Sequence, residues 1–275
     1  MGRAFSFHTN GGHFGFALGP AIMAILAANY GWREAAGIVG LIGLMLTFAL
    51  IIGGSKIFEG SQSNLSSNSA KNSKENKSDH PLSISVLLRP SIIAFFIFFT
   101  VLAMGLIGMQ NFTPIALVSG REFDLLSANG ALTGFLIGAP IGIFIGGYIA
   151  DKIKKQDFVA LICITVAGGL IFLIPLSRLN GVFLFSQFFI AGLFFGLALP
   201  NRDMVIRRFT AKGASGRVFG FVYGGLDTGA AITPVIYGAF VDWGKPDWVF
   251  LSSGILMFTA ALIIFTTARL LRLRE

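Results

Sequence analysis

The sequence predicts an all-α polytopic membrane protein with about eight transmembrane helices. Of its 275 residues, 54% are hydrophobic and only 12% are charged, whereas soluble domains carry about 25% charged residues. The mean hydropathy is +0.77. The apolar runs are apolar on every face, so they lack the alternation that the strands of a transmembrane barrel require. A lipid bilayer is therefore the expected environment.

Eight stretches are long and apolar enough to cross the hydrocarbon layer, which takes about 20 residues of helix. Charged residues, Gly-Asp pairs or Asn separate these stretches from one another. They are approximately 4–29, 35–54, 91–118, 127–150, 158–177, 182–201, 217–241 and 248–269. Cys163 is the only cysteine, which excludes a disulfide scaffold and a redox-active cysteine pair.

One polar stretch divides the spans into two and six. Residues 59–80 are rich in Ser, Asn and Lys and hold almost no apolar side chain. Such a segment cannot bury enough surface to fold, so we expect a flexible linker. The predicted domains are 1–54 with two helices, a cytoplasmic linker over 55–88, and a six-helix bundle over 89–275.

Basic residues lie in alternate loops. About 17 of the 21 Lys and Arg residues fall at Arg3, at 56–89, at 152–155, at 202–217 and at 269–274. By the positive-inside rule these loops and both termini are cytoplasmic, in a plasma membrane or bacterial inner membrane. The net charge of +8 therefore reflects topology. Nucleic acid is excluded as a partner, because the sequence has no continuous basic groove with stacking aromatics.

An internal repeat relates the two ends of the chain at an offset of 214 residues. GRAFSFHTNGGHFGFALGP, from Gly2, aligns without a gap with GRVFGFVYGGLDTGAAITP, from Gly216, and eight of nineteen positions are identical. Both copies begin on the predicted cytoplasmic side, which indicates parallel repeats of the kind found in two-halved transporters.

Four predicted spans precede Gly216, whereas only Met1 precedes Gly2. We therefore expect an amino-terminally shortened form of a twelve-span protein. It would hold the last two helices of the first bundle and a complete second bundle, and a separate four-helix segment is a possible partner.

Four features of the sequence resemble the major facilitator superfamily. They are the repeat with its polar linker, GGYIADKIKKQ at 146–156, PNRDMVIRR at 200–208, and Gly-Trp-Arg at 31–33. Four residues of the loop motif match the family pattern: Gly147, Asp151, Lys152 and Lys155. Two residues, Lys154 and Gln156, depart from that pattern. The resemblance implies alternating access, in which two six-helix bundles rock about a central solute site.

Asp227 is the sharpest candidate for a functional residue. It lies about 16 Å inside its predicted span, close to the bilayer centre. The repeat places His13 opposite Asp227, and His8 lies nearer the cytoplasm. A buried Asp or a His can take up and release a proton in each cycle. The alternative is that all three residues only form hydrogen bonds to neighbouring helices.

Other polar residues within the spans are candidates for contact with solute. Gln110 and Asn111 precede Pro114, which frees a backbone carbonyl, and Gln187 lies in the sixth span. Interhelical hydrogen bonding is an equally good explanation. No metal-ligand spacing or Walker lysine is found, so we expect no metal, no cofactor, no ATP-driven transport and no enzymatic activity.

Glycines recur every fourth residue in two spans, and we expect them to allow close helix packing. These glycines are Gly130, Gly134, Gly138, Gly142 and Gly146, with a second set of Gly11, Gly15 and Gly19.

A cytoplasmic gate is expected at the family loop motif. The resemblance assigns it Gly147, Asp151, Lys152 and Lys155, with Asp151 accepting hydrogen bonds from an Arg such as Arg217. Arg202 and Asp203 are expected to contribute to the same gate. The alternative is that these charges only set the topology.

The sequence thus predicts a secondary active transporter, a proton symporter or antiporter, for a small organic solute that is neutral, weakly anionic or amphiphilic. The alternative is a non-transporting membrane fragment or sensor that needs a partner for the missing helices.

Overall fold

The computed structural model describes residues 10–12, 14–15, 18–19, 22–23, 25–27, 29–69, 87–177, 181–208 and 215–273. For 54–69 and 215–217 it describes the backbone alone. In these ranges the regular structure is helical, and no strand is present.

Seven helices have defined bounds among the described residues. They are α1 Trp32–Ser69, α2 Pro90–Arg121, α3 Leu125–Lys152, α4 Gln156–Phe172, α5 Gly181–Arg208, α6 Ser215–Asp242 and α7 Asp247–Arg272. The described residues within 10–30 are helical as well. Gly31, with φ of +91°, separates them from α1, and this left-handed conformation favours glycine.

Among the described residues, five helices are long and apolar enough to span a membrane. Their spanning segments are Trp32–Gly53, Pro90–Arg121, Leu125–Lys152, Gly181–Arg208 and Asp247–Arg272. Each coincides with a stretch that hydropathy predicts. The helix α4 is apolar but only 17 residues long, and α6, at 28 residues, is not among the five. The expected all-α membrane fold is confirmed.

The carboxyl end of α1 is helical where the sequence predicts a flexible linker. The helix continues to Ser69, past the end of its apolar segment, because an existing helix gains one hydrogen bond for each residue that it adds. Residues 70–86 lie outside the described residues, so the linker over that part of the chain stays a prediction.

The chain forms two compact units. One is Leu18–Pro81, and it contains α1; the other is Leu82–Glu275 together with Met1–Ala17. Only 6% of the spanning segment of α1 is buried. The second unit contains α2 to α7, and its core is a continuous cluster of apolar side chains that includes Phe98, Phe135, Phe188 and Phe250.

Five helices of the larger unit form a closed ring, in the order α3, α5, α4, α7 and α2, and α6 packs mainly on α2. The helices alternate in direction, so α2, α4 and α6 begin where α3, α5 and α7 end. Cross-contacts support this: Arg272, at the end of α7, pairs with Asp157, at the start of α4. We call this the basic end, because Lys152, Lys155 and Arg208 lie there.

Four glycines of α3 pack directly on the backbone of α5: Gly134, Gly138, Gly142 and Gly146. A Cβ atom at Gly134 would lie 2.6 Å from the carbonyl oxygen of Phe185, and one at Gly146 would lie 2.6 Å from that of Leu197. A Cβ atom at Gly142 would overlap the carbonyl of Leu193. Gly138 and, from the α5 side, Gly192 and Gly196 make equally close approaches. Small residues thus let the two backbones touch.

We expect Gly142→Ala to destabilise the larger unit. The new methyl group meets a backbone carbonyl that cannot rotate away, and overpacking of this kind costs about 1–3 kcal/mol. Gly130→Ala is the matched control, because no atom lies within 4 Å of its Cβ position and alanine favours a helix by about 1 kcal/mol. Thermal unfolding in detergent should show a lower midpoint for Gly142→Ala only; equal midpoints for both variants would refute the close contact.

A second close interface joins α6 to α2. Gly225 and Gly229 face the carbonyl oxygens of Phe96 and Thr100, each 2.5 Å from the corresponding Cβ position. By contrast, Cβ atoms at Gly11 and Gly15 would meet nothing within 4 Å. The described residues therefore show no close packing at these two glycines.

Candidate functional site

One face of α6 packs against α2, and its opposite face is open. The residues on the buried face are Val222, Gly225, Gly229, Thr233 and Tyr237. The residues on the open face recur at helical spacing and are exposed: Gly220, Asp227, Thr228, Ala231 and Val235. Within the described part of the larger unit, nothing covers this open face.

Asp227 lies on the open face, near the middle of the helix. It is 12 residues beyond Ser215, which corresponds to about 18 Å along the axis. Its side chain is exposed and makes no hydrogen bond or ion pair with any residue that the structure describes. The neighbouring Thr228 hydroxyl donates to the Gly224 carbonyl oxygen at 2.9 Å.

A charge at this depth cannot face lipid without a large cost. An ionised Asp at the bilayer centre costs about 2.5–3.5 kcal/mol on insertion scales. Such residues accordingly face protein or a water-filled cavity. In a membrane the open face of α6 must therefore be covered by one of these.

A buried ion pair lies nearer the basic end. The Arg202 Nε atom donates to Asp203 Oδ1 at 3.0 Å, and the Tyr223 hydroxyl donates to the same oxygen at 2.9 Å. Arg202 is 6% exposed and Asp203 is 1% exposed. Arg202 and Asp203 belong to α5 and Tyr223 belongs to α6, so the cluster joins these two helices.

Aromatic rings enclose the guanidinium group. Its carbon lies 4.6 Å from the centroid of Phe99 and 6.0 Å from that of Tyr223. The two rings are themselves 4.7 Å apart. A cation between aromatic rings gains about 2 kcal/mol when it is desolvated. Three helices, α2, α5 and α6, therefore meet at this ion pair.

The ion pair and Asp227 adjoin along α6. Tyr223 and Asp227 are four residues apart, so they lie on neighbouring turns of one helix face. The arrangement from the middle of the helix toward the basic end is an exposed carboxylate, a tyrosine and a buried Arg–Asp pair.

A comparison with protein families identifies the class of protein to which the chain belongs. The family model for the Major Facilitator Superfamily matches residues 1–185 and 124–274. The chain belongs to this superfamily. A search of curated proteins gives no match. Members of the superfamily transport solutes across membranes, and the chain is accordingly a membrane transporter.

The other candidate residues that the structure of this superfamily protein describes do not gather around Asp227. His8 and His13 lie outside the described residues. Gln110 is half-buried and Asn111 is exposed, at the level of Tyr237, whose ring lies 5.8 Å from that of Phe112. Tyr237 is ten residues beyond Asp227, about 15 Å along the axis.

Gln187 joins two helices instead of facing α6. Its Nε2 atom donates to the Leu170 carbonyl oxygen of α4 at 2.7 Å. Gln187 therefore forms an interhelical hydrogen bond, which is the alternative that the sequence analysis gives to contact with solute.

The expected gate residues divide into a buried group and an exposed group. Arg202 and Asp203 are buried with Tyr223, whereas Asp151, Lys152 and Lys155 are exposed where α3 ends and α4 begins. Gly147 is buried, and Lys152 lies over the ring of Tyr148 at 4.2 Å. The side chain of Arg217 lies outside the described residues.

Asn201 ties α5 to α3 beside the ion pair. It is fully buried, and its Nδ2 atom donates to the carbonyl oxygens of Leu197 at 2.9 Å and Gly146 at 3.4 Å. Among the described residues, no group of three His, Cys, Asp or Glu side chains is arranged to hold a metal ion.

Sequence reasoning missed the polar contacts at both helix ends. At the end opposite the basic end, the Arg121 Nη1 atom donates to the Ser177 carbonyl oxygen at 2.8 Å. The Arg121 Nε atom lies 3.9 Å from Asp247. At the basic end, Arg272 pairs with Asp157. One sequence signal could have indicated these ion pairs: Arg121 and Asp247 lie in loops predicted on one membrane face, and Asp157 and Arg272 lie in segments predicted on the other.

Proposed function

We propose that this transporter is a secondary active, proton-coupled carrier of a small organic solute that works by alternating access. The observation that carries the proposal is the position of Asp227, exposed at mid-depth on the open face of α6. A carboxylate at this depth normally faces a solute path. Asp227 is the group that takes up and releases the proton.

The coupling follows from hydration. When the path around a carboxylate closes, water is lost, and the loss favours the neutral, protonated form. When the path reopens to water on the other side, ionisation becomes favourable again. A carboxylate that is alternately hydrated and dehydrated can therefore carry one proton across the membrane in each cycle.

The Arg202–Asp203–Tyr223 cluster acts as part of the cytoplasmic gate. It joins α2, α5 and α6 one turn of helix from Asp227, on the side of the basic end. The positive-inside rule assigns this end, and both termini, to the cytoplasm of a plasma or bacterial inner membrane. Asp151, Lys152 and Lys155 form the outer layer of the gate.

The open face of α6 favours a weakly charged solute. It offers one carboxylate, and the other exposed residues of α6 between Gly220 and Val235 are Gly, Thr, Ala, Ile, Pro and Val. A neutral, weakly anionic or amphiphilic molecule matches this surface better than a highly charged one.

A second candidate function is a membrane protein that does not transport alone and needs a separate four-helix partner. The face of α6 that no described residue of the larger unit covers favours this alternative, because a solute path needs two walls.

Proteoliposomes loaded with the pH-sensitive dye pyranine test the proposal. Neutral sugars, neutral amino acids and monocarboxylates are added one at a time, to vesicles with and without the protein. We expect at least one solute to cause a protein-dependent proton flux. If no solute causes a flux above that of empty vesicles, the alternative function is favoured.

A further inference from the structure

Helices α4 and α7 pack side by side in opposite directions, and the seam between them ends at the basic end. Arg272 of α7 pairs there with Asp157 of α4. Farther along the seam, the Cβ position of Gly169 lies 3.7 Å from the ring of Phe258. These two contacts set the register, so the first three turns of α4 lie beside the last three turns of α7.

The outer face of this seam is apolar. Phe158 and Ile162 are four residues apart on α4, and they are 49% and 43% exposed. Gly169 belongs to the same face of the helix, because it is seven residues beyond Ile162, and this face therefore adjoins α7. On α7, Leu262 is 59% exposed. In a membrane these side chains face the acyl chains of lipid.

Three cations lie where the seam meets the basic end. Lys154 and Lys155 directly precede α4, and Arg269 lies in the last turn of α7. All three residues are exposed. None of them makes an ion pair or a side-chain hydrogen bond with any residue that the structure describes. Long basic side chains keep an apolar stem against the helix and place the charge in the headgroup layer.

The acidic residues of this end leave the three charges uncompensated. In the described part of the larger unit they are Asp151, Asp157 and Asp203, and each already interacts with another residue of the protein. A zwitterionic headgroup would bring an ammonium group that finds no unengaged carboxylate among them. A headgroup with net negative charge meets only cations, and it is therefore the better match.

We propose that the seam between α4 and α7 binds an anionic phospholipid. Its phosphate lies among Lys154, Lys155 and Arg269, and an acyl chain lies along Phe158 and Ile162. Free phosphate gains nothing from the apolar face, so the combined surface fits a lipid better than a dissolved ion. The seam does not involve α6, so this inference does not depend on the solute path.

Photolabelling with two lipids that differ only in the headgroup tests the assignment. A phosphatidylglycerol and a phosphatidylcholine, each with the same diazirine-bearing acyl chain, are added separately to the full chain in phosphatidylcholine vesicles. The labelled residues are mapped by mass spectrometry. We expect phosphatidylglycerol to label 158–162 and 262–270 about fivefold more strongly than phosphatidylcholine, or more. Both lipids should label Ile255 equally, which is 54% exposed near the other end of α7.

Two matched double variants test the cations. Lys154→Gln with Arg269→Gln should weaken labelling of the seam by phosphatidylglycerol about fivefold for each charge removed. Lys155 is kept, because it is also a residue of the proposed gate. Arg89→Gln with Lys245→Gln removes the same charge from exposed positions outside the seam, and this variant should label normally.

One further arm distinguishes the lipid from free phosphate. Inorganic phosphate, added at an ionic strength matched with chloride, should leave labelling of the seam unchanged. Equal labelling of the seam by the two lipids, an equal loss in the two double variants, or displacement by inorganic phosphate would overturn the proposal.

Discussion

Asp227→Asn is expected to abolish proton-driven uptake of solute. The amide has nearly the shape of the carboxyl group but cannot release a proton, so the cycle loses its coupled charge. The open face of α6 is otherwise unchanged, and exchange of solute across the membrane without a pH gradient should persist. In pyranine-loaded proteoliposomes the proton flux should fall to that of empty vesicles, while counterflow of labelled solute remains.

Asp242→Asn provides the matched control for this result. It makes the same substitution in the same helix, at an exposed position where α6 ends. It should retain both proton flux and counterflow. Full proton flux in Asp227→Asn, or an equal loss in both variants, would remove Asp227 from the coupling role.

Asp203→Ala is expected to cause a large loss of stability. Asp203 is 1% exposed and pairs with Arg202, which is itself buried. Removing one partner leaves an uncompensated buried charge, which costs about 3–5 kcal/mol. The Tyr223 hydroxyl also loses its acceptor. Thermal or denaturant unfolding in detergent measures the change.

Two further variants distinguish the effect of losing the ion pair from the effect of a general loss of packing. Asp247→Ala removes the half-exposed partner of Arg121 and should cost at most about 1 kcal/mol. The double variant Arg202→Met with Asp203→Leu should recover most of the stability, because replacing both members of a buried ion pair with apolar residues is often neutral. A small effect of Asp203→Ala, or a double variant as unstable as the single one, would contradict the account.

The sequence was sufficient for the fold, because the bilayer imposes strong and local constraints. Apolar runs of the required length became the spanning helices, as at Pro90–Arg121 and Asp247–Arg272. The depth of Asp227 followed from counting residues along one helix. These inferences need no knowledge of tertiary contacts.

The partners of Arg202 could not be inferred in the same way. Phe99 and Tyr223 lie on two other helices, and their rings are two among 29 Phe and four Tyr in the chain. Only the packing of α2, α5 and α6 brings them together. The same holds for Gln187, whose role depends on the carbonyl oxygen of Leu170 in α4. The end of α1 at Ser69 was missed because composition does not show where helix propagation stops.

Thiol accessibility tests the central claim most directly, since it requires no knowledge of the solute. Thr228→Cys places a thiol on the open face of α6, beside Asp227, and Leu262→Cys places one at a similar depth on α7, where Leu262 is 59% exposed. Both are made with Cys163→Ala, which removes the native thiol. The variants are reconstituted and treated with a membrane-impermeant methanethiosulfonate.

The account predicts that the thiol at 228 reacts, because water reaches the open face through the solute path. The thiol at 262 should not react, because it faces lipid. Failure of the thiol at 228 to react, or equal reaction at both positions, would contradict the claim that this face of α6 lines the path.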